Sequence, residues 1–409
     1  MINDVIIIGG GASGLFAAVY LKQNNSRLAV RILESQPRVG KKLALTGNGR
    51  CNITNTNIDL SRYHGENTEF ARFALEKYDR FFCEDFFEGL GVPFVFEEEK
   101  GYPASLQAAS VVDCLRFAAE ESGVITHLET KVTDIRLTKS GYMVIADKMQ
   151  FMAKNVIIAA GLLSGGDRLG CDGSILALLK KAGYQTAETF PSIVQLKTET
   201  DIVKQLKGIK IDALVSLKHG GKLIREEFGE VLFCDYGLSG PPVLQVSGMA
   251  ARLRENCEIS LDLRPQTDYS SLFHELRKRA KALRNRNLDE FFTGMLNKRL
   301  GQVILKNADC RLNEKTESLD EMKLKKITSL IKGFTFKVTG NNGFLNSQAT
   351  SGGVLTHQFS DKTMESKSNK GLYAIGEILD IDGDCGGFNL QWAWSSAAAA
   401  AEAILEKSK

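Results

Sequence analysis

The amino-acid sequence predicts an α/β protein in which both ends of the chain build one parallel sheet, with an insert of antiparallel strands and helices between them. Three observations carry this prediction. The N-terminus alternates a buried strand, a glycine turn and a helix. The stretch after residue 190 has hydrophobic period two, and a buried strand followed by an apolar helix returns after residue 370. Strands that alternate with helices form parallel sheets, whereas period-two runs form antiparallel ones.

The first elements are a strand, a helix and a second strand. Residues 4–8 (DVIII) are apolar and β-branched, as in a strand buried on both faces. Residues 13–23 have helical composition, and residues 29–33 (AVRIL) form the next strand. The uncharged stretch 5–21 resembles a membrane span, but it is short and contains three consecutive glycines. A buried βαβ unit with a right-handed crossover explains it better.

The later elements follow from periodicity and turn residues. We expect helices at 67–89, 108–122 and 174–182, and strands at 124–128, 131–137, 142–146 and 155–160. Residues 46–57 (TGNGRCNITNTN) are polar and predict a long loop. Alternating runs from about 190 predict an antiparallel sheet or small barrel, followed by charged helices over 267–332. Strands are expected again at 334–338 and 372–375, before a terminal helix.

The composition is that of a globular protein. The chain has 409 residues, 43% hydrophobic and 25% charged, which excludes disordered, collagen-like and coiled-coil proteins. Lys and Arg number 52 against 49 Asp and Glu. This balance gives no reason to expect nucleic acid or an anionic membrane as a partner. The eight cysteines are far apart and lack a CxxC pair, so we expect reduced thiols, no metal site and a cytoplasmic protein.

Three glycines stand between the first strand and the first helix. In a dinucleotide-binding turn, Gly9 allows the tight turn, Gly11 lets a pyrophosphate approach the backbone, and Gly14 permits close helix–strand packing. The helix N-terminus adds free N–H groups and a positive dipole end. Glu34 ends the second strand about 20 residues later, where a carboxylate accepts ribose hydroxyls. The motif predicts FAD or NAD and does not decide between them.

The C-terminal segment favours FAD. The strand 371–376 (GLYAIG) ends on Glu377, and Gly386 and Gly387 precede a helix that begins FNLQWAW. In two-part flavoprotein folds, such an acid approaches the ribityl chain and the helix N-terminus faces the flavin N1–C2=O edge. The helix dipole there stabilises negative charge on the reduced flavin. Residues 155–161 (NVIIAAG) have the pattern of a strand that crosses near FAD.

Four segments resemble the bacterial family of FAD-dependent flavoproteins that includes the aminoacetone oxidases and the BaiN/RdsA-type NAD(P)/FAD-dependent oxidoreductases. They are GGGASGLFAA (9–18), GKKLALTGNGRCNITN (40–55), GEVLFCDYGLSGPPVLQVS (229–247) and the stretch from TSGGVLTH (350–357) to SSAAAAA. The resemblance implies a Rossmann-type FAD-binding domain split across both termini, at 1–190 and 343–409. It also implies an inserted antiparallel β-barrel-like part at 191–266 and 333–342, and a small helical part at 267–332.

From the motifs and the resemblance we expect a set of FAD contacts. They are Gly9, Gly11, Ala12, Ser13, Gly14, Glu34, Lys42, Asn48, Gly49, Arg50, Cys51, Asn52, Val132, Ala160, Gly161, Gly376, Glu377, Gly387, Phe388, Asn389 and Leu390.

The function expected is that of an FAD-dependent oxidoreductase transferring a hydride between flavin N5 and a small organic substrate. It is either a reductase that NAD(P)H visits transiently or an aminoacetone-type amine oxidase, and the sequence leaves both open. Hydride transfer needs chiefly positioning, and Cys51 and His357 are the candidate catalytic residues, with buried packing as the alternative for Cys51. A second hypothesis is a flavoprotein that binds or modifies RNA through the helical insert, where residues 274–306 contain a basic run (Arg277, Lys278, Arg279, Lys281, Arg284 and Arg286). A solvated helix face is the plainer explanation of this run. Oligomeric state stays open.

Overall fold

The computed structural model describes residues 2–147 and 149–408, and these form two units. The first unit combines the chain up to Pro191 with the chain from Ser347, and the second is Ser192–Asn346.

The strands, in chain order, are β1 (Ile2–Ile8), β2 (Val30–Leu33), β3 (Thr54–Asn55), β4 (Tyr63–His64), β5 (Phe94–Glu97), β6 (Lys100–Pro103), β7 (Ile125–His127), β8 (Val132–Thr138), β9 (Gly141–Ala146), β10 (Met149–Ile158), β11 (Thr186–Ser192), β12 (Leu196–Thr198), β13 (Lys210–His219), β14 (Lys222–Phe233), β15 (Gly237–Ser239), β16 (Cys257–Asp262), β17 (Phe334–Asn341), β18 (Ala349–Val354), β19 (Leu372–Ala374) and β20 (Asp382–Gly383). The helices are α1 (Ala12–Asn24), α2 (Arg72–Lys77), α3 (Arg80–Gly89), α4 (Ala108–Glu121), α5 (Ser174–Lys181), α6 (Thr200–Leu206), α7 (Pro241–Leu253), α8 (Tyr269–Ala282), α9 (Lys298–Asn307), α10 (Glu321–Lys332) and α11 (Phe388–Ser408).

The main sheet of the first unit has the order β7-β2-β1-β10-β9-β8, with β19 paired to the second half of β10. The pairs β1–β2, β1–β10, β2–β7 and β10–β19 are parallel, and β8 and β9 are antiparallel additions. Ile8 is in register with both Leu33 and Ile158, so these strands end together. The N-terminal and C-terminal segments therefore contribute strands to one sheet, as the sequence predicts.

Two helices from opposite ends of the chain pack together in the core of the first unit. α1 packs against α11, whose alanine-rich surface is buried almost all round. Trp392 and Trp394 are 1% and 0% exposed, so both belong to the core. Their indole N–H groups donate to the carbonyls of Gly376 at 3.1 Å and Ile53 at 2.9 Å. These bonds tie α11 to the segment that follows β19 and to the segment that precedes β3.

The second unit is built on a closed barrel of antiparallel strands in the order β12-β15-β14-β13-β16-β17, which confirms the expectation of a small barrel. The helices α8, α9 and α10 pack on it through one shared apolar cluster that includes Leu217, Leu276 and Ile327. In the part of the chain that the structure describes, no helix is long and apolar enough to cross a membrane.

Two local predictions need correction. The helix expected at 67–89 is interrupted, because Asp79 accepts the N–H of Phe82 at 2.9 Å and so starts α3 as a new helix. The loop expected at 46–57 contains short regular segments, a 3₁₀ turn at Leu43–Gly49 and the strand β3. Both depend on local hydrogen bonds that hydrophobic periodicity does not report.

Candidate functional site

The carboxyl ends of four parallel strands, β1, β2, β10 and β19, open onto one cleft in the first unit. Ligands of open α/β sheets bind at this edge. The cleft encloses about 1320 Å³, its open mouth included. Twelve of the residues predicted to contact FAD line it, namely Gly9, Gly11, Ala12, Ser13, Glu34, Lys42, Val132, Ala160, Gly161, Glu377, Asn389 and Leu390.

Two of the three motif glycines are required by packing within the protein, and the third is not. A Cβ on Gly9 would lie 2.5 Å from the carbonyl oxygen of Ala159, and a Cβ on Gly14 would overlap the carbonyl oxygen of Gly9. Gly11 has φ −82°, which any residue adopts, and a Cβ there would meet no described atom within 4 Å. No described side chain caps the first N–H groups of α1. A ligand that approaches the backbone closely explains this glycine, and a pyrophosphate fits the position.

Glu34 follows β2 and is buried at the cleft. Its Oε2 accepts the N–H of Gly10 at 2.7 Å, and its Oε1 accepts the N–H of Gln36 at 2.8 Å. A carboxylate offers about four acceptor positions, so these bonds orient the group and leave capacity for hydroxyl donors. This geometry fits a ribose diol at the predicted place.

A charged cluster in the cleft wall joins four distant segments of the chain. Lys42 Nζ donates to Glu377 Oε2 at 2.5 Å and to Ser164 Oγ. Ser164 Oγ and the N–H of Thr350 both donate to Glu377 Oε1, at 2.8 and 2.6 Å. Burial lowers the pKa of Lys42, but the charge and hydrogen bond of Glu377, together with the nearby Cys171 thiol, raise it above its usual value. The cleft therefore contains a fixed pair of opposite charges.

The segment Asn48–Asn52 lies outside the cleft lining, in a loop where Asn48 and Cys51 both adopt positive φ. Arg50 forms an ion pair with Glu97, and its guanidinium lies 4.2 Å from the centroid of the Tyr102 ring. Contact of the segment Asn48–Asn52 with FAD stays a prediction.

One atom of this loop nevertheless suits a ligand. Asn52 Oδ1 is buried and, among the described residues, has no hydrogen-bond partner. Buried polar atoms are normally satisfied, so this oxygen is available to a donor that the protein itself does not supply.

The two candidate catalytic residues also lie outside the lining. Cys51 is fully buried, and burial raises the pKa of its thiol to about 12. The thiol is therefore protonated near neutral pH and is a poor nucleophile. His357 is exposed on a 3₁₀ turn, and its carbonyl accepts a bond from Lys367 at 2.9 Å. Their catalytic roles stay predictions.

Four further predicted contacts lie behind the cleft wall, namely Gly14, Gly376, Gly387 and Phe388. Gly387 has φ 104°, and a Cβ there would overlap the carbonyl oxygen of Thr54. This tight packing seats the N-terminus of α11, whose residues Asn389 and Leu390 line the cleft. The positive end of the α11 dipole consequently lies at the cleft.

Sequence reasoning missed part of the lining. The missed residues include Gln36, Lys41, Lys131, Leu169, Gly170, Cys171, Asp172, Gln348 and Ala349. The available signal was the glycine density of 165–173, where Gly165, Gly166, Gly170 and Gly173 all have positive φ. Among the residues described, no group of His, Cys, Asp and Glu forms a metal site, and all eight cysteines are free thiols.

Comparison with known proteins supplies close full-length matches. A family model, HI0933-like protein Rossmann domain, matches residues 3–403. The 3-dehydro-bile acid delta(4,6)-reductase of Clostridium scindens is 35% identical, over 99% of this chain and 100% of the relative. The ribosomal RNA dihydrouridine synthases of Escherichia coli and Haemophilus influenzae are each 28% identical, over 98% of this chain and of the relative.

Solved structures show the same fold at low identity. The 3-ketosteroid delta1-dehydrogenase of Sterolibacterium denitrificans has a TM-score of 0.51, with 13% identity over 99% of both chains. The FrdA chain of E. coli quinol fumarate reductase also gives 0.51, with 14% identity over 100% of this chain and 70% of that one. Together, the family and fold matches confirm the predicted resemblance, the Rossmann-type FAD-binding domain and the class of FAD-dependent oxidoreductases.

Proposed function

The chain belongs to the HI0933-like family of Rossmann-domain proteins, and from this premise we propose that it reduces a carbon–carbon double bond conjugated to a carbonyl, with NAD(P)H as reductant. One observation carries the proposal. The relatives named for a bile acid and for ribosomal RNA have different substrates, yet both names describe the same bond change. A 3-oxo steroid with double bonds at positions 4 and 6, and the uracil ring, both present an alkene conjugated to a carbonyl.

The residues of the cleft fit FAD in four places. Gly11 and the α1 N-terminus suit the pyrophosphate, and Glu34 suits the ribose of the adenosine. Glu377, held by Lys42, suits the ribityl chain, and the α11 N-terminus suits the flavin N1–C2=O edge. When bound, FAD supplies hydride transfer from a reductant to a substrate. The other residues predicted from the motifs remain part of this proposed site.

The protein's own part is positioning and charge. The Lys42–Glu377 ion pair fixes a carboxylate in the cleft wall, so its acceptor atoms need no reorganisation when a ligand binds. The dipole of α11 lowers the cost of negative charge beside its first turn. A cytoplasmic location, where NAD(P)H is supplied and thiols stay reduced, belongs to the same proposal.

The test is the reductive half-reaction under anaerobic conditions. Purified holoprotein is mixed separately with NADH, NADPH and aminoacetone, and loss of the oxidised flavin absorbance is followed. We expect NADH or NADPH to bleach the flavin, with aminoacetone inert. Bleaching by aminoacetone alone, with recovery of the absorbance in air, would instead identify an amine oxidase.

RNA is the second candidate substrate, because two full-length relatives are named for ribosomal RNA. On α8 and after it, the exposed basic residues are Arg277, Lys278, Lys281, Arg284 and Arg286. Arg279 does not belong to this surface, since it donates to the carbonyls of Phe291 and Thr293, each at 2.5 Å. If RNA is the substrate, retention of ribosomal RNA should fall steeply with salt and weaken in a K278E/K281E variant. Absence of RNA binding at low salt would exclude RNA as the substrate, and a small molecule would remain the proposed substrate.

A further inference from the structure

The loop 162–173 joins β10 to α5 and lines one end of the cleft. Leu169, Gly170, Cys171 and Asp172 all line the cleft, as Glu34 does. A Cβ on Gly170 would lie 2.8 Å from the side chain of Gln36, so the loop packs directly on the segment that follows Glu34. This end of the cleft is where the ribose of the adenosine is proposed to bind.

Two lysines from other segments hold the loop in place. Lys41 Nζ donates to the carbonyl of Arg168 at 2.8 Å and to Gln36 Oε1 at 2.7 Å. Lys131, which immediately precedes β8, forms an ion pair with Asp172. Asp172 Oδ1 also accepts the N–H of Ser174 at 2.9 Å, which fixes the direction of the carboxylate at the start of α5.

The loop is rich in glycine. Its glycines Gly165, Gly166, Gly170 and Gly173 have positive φ between 64° and 85°, where other residues are strained. A chain with this many glycines has little intrinsic preference for the observed shape. Ser164 fixes the start of the loop to Glu377 and Thr350, and Asp167–Leu169 form a short 3₁₀ turn. The two lysine contacts hold the remaining part, 168–172, against the segments next to Glu34.

We propose that loop 162–173 is a clasp over the adenosine end of FAD, closed by Lys131–Asp172 and by Lys41 on the Arg168 carbonyl, and that its opening sets the rate of FAD release. The inference rests on the proposed placement of FAD in this cleft. The ion pair is partly exposed, with side chains 49% and 28% accessible, so dissolved salt screens it. Release of FAD should consequently accelerate with ionic strength, although the cleft itself is unchanged.

The experiment measures FAD release from the holoprotein. Holoprotein is diluted far into flavin-free buffer, and the FAD still bound to the protein is measured after rapid desalting at successive times. K131A should release FAD about two- to fivefold faster, the size expected for loss of one exposed ion pair. K41A/K131A should be faster still, and both variants should lose most of the salt dependence.

Matched variants separate the clasp from a general effect. K154A breaks another exposed ion pair of the first unit, Lys154–Asp4 at 2.8 Å on β10 and β1, and should leave the release rate unchanged. K131R, which keeps the positive charge opposite Asp172, should retain slow release. The unfolding temperature of each apoprotein checks that the effect concerns the cofactor and not the fold.

The outcomes are distinguishable. If the wild-type chain binds FAD but K131A and K41A/K131A release it at the wild-type rate, the clasp is refuted while the proposed function stands. If the wild-type chain binds no FAD, the proposed placement itself fails. Equal acceleration in K154A would show that the effect is not specific to the loop.

Discussion

Replacing Gly11 and Gly14 separately by alanine should distinguish a glycine that serves a ligand from one that serves the fold. At Gly11 the φ of −82° suits alanine and the new Cβ meets no described atom within 4 Å. The apoprotein should therefore keep its stability to within about 1 kcal/mol, because the gain from a less flexible unfolded chain offsets the poor preference of alanine for this N-cap position. At Gly14 the Cβ overlaps the carbonyl of Gly9, so the apoprotein should lose about 1–3 kcal/mol.

For FAD binding, in contrast, G11A should be a damaging substitution. In G11A the Cβ occupies the space where the pyrophosphate approaches the backbone, and crowding of about 1–3 kcal/mol corresponds to about 5- to 150-fold weaker binding. Urea unfolding of the apoproteins and titration with FAD by fluorescence measure the two effects. G89A is the control, because Gly89 at the end of α3 has equally open space and lies away from the cleft. Wild-type FAD affinity in G11A, or wild-type apoprotein stability in G14A, would refute this reasoning.

Three further predictions concern other parts of the first unit. E34A should weaken FAD binding by about 1–3 kcal/mol, because charge-assisted hydrogen bonds to the ribose are lost; unchanged affinity in an FAD titration would contradict the assignment. Cys51, whose pKa burial raises to about 12, should resist iodoacetamide in the native protein and react only after unfolding; rapid alkylation of native Cys51, seen by mass spectrometry, would contradict its protonated state. Burial raises the pKa of Glu365, but the bond from Lys407 at 2.6 Å, the bond from the N–H of Gly371 and the charges of Lys407 and Lys370 together hold that pKa below its usual 4.5. K407M should thus lower unfolding stability by about 1–2 kcal/mol at neutral pH. This difference should vanish as pH falls below the Glu365 pKa, since protonation of Glu365 removes from the wild type the ion pair that K407M already lacks; a difference that persists in acid would exclude this ion pair as its cause.

The elements of the N-terminus could be predicted because their determinants are local. The apolar run 4–8, the three motif glycines and Glu34 all lie within one βαβ unit, whose geometry is nearly invariant. The barrel was predictable for a similar reason. Its strands alternate apolar and polar residues, which is the pattern of an antiparallel strand with one buried face. Trp392 and Trp394 were predictable as core because they sit in an apolar helix.

The rest of the site depends on contacts between distant parts of the chain. Lys42 and Glu377 are 335 residues apart and meet only because β1, β10 and β19 end together. Lys131 and Asp172 are likewise distant in the sequence, and their spacing does not predict that they form an ion pair. Arg279 shows that a local pattern can also mislead. It lies in a basic run that suggests an exposed surface, but its guanidinium donates to two backbone carbonyls within the second unit. Side-chain partners of this kind are set by tertiary packing and not by local pattern.

The oxidative half-reaction tests the central claim most directly. Holoprotein reduced anaerobically with dithionite, and freed of excess reductant, is mixed with a 3-oxo-Δ4,6 steroid or with uridine-containing RNA, and the return of oxidised flavin absorbance is recorded. The account predicts that one of these substrates reoxidises the flavin, with one double bond saturated for each flavin oxidised. If neither substrate reoxidises the reduced flavin and only oxygen does, the proposed reductase activity is contradicted.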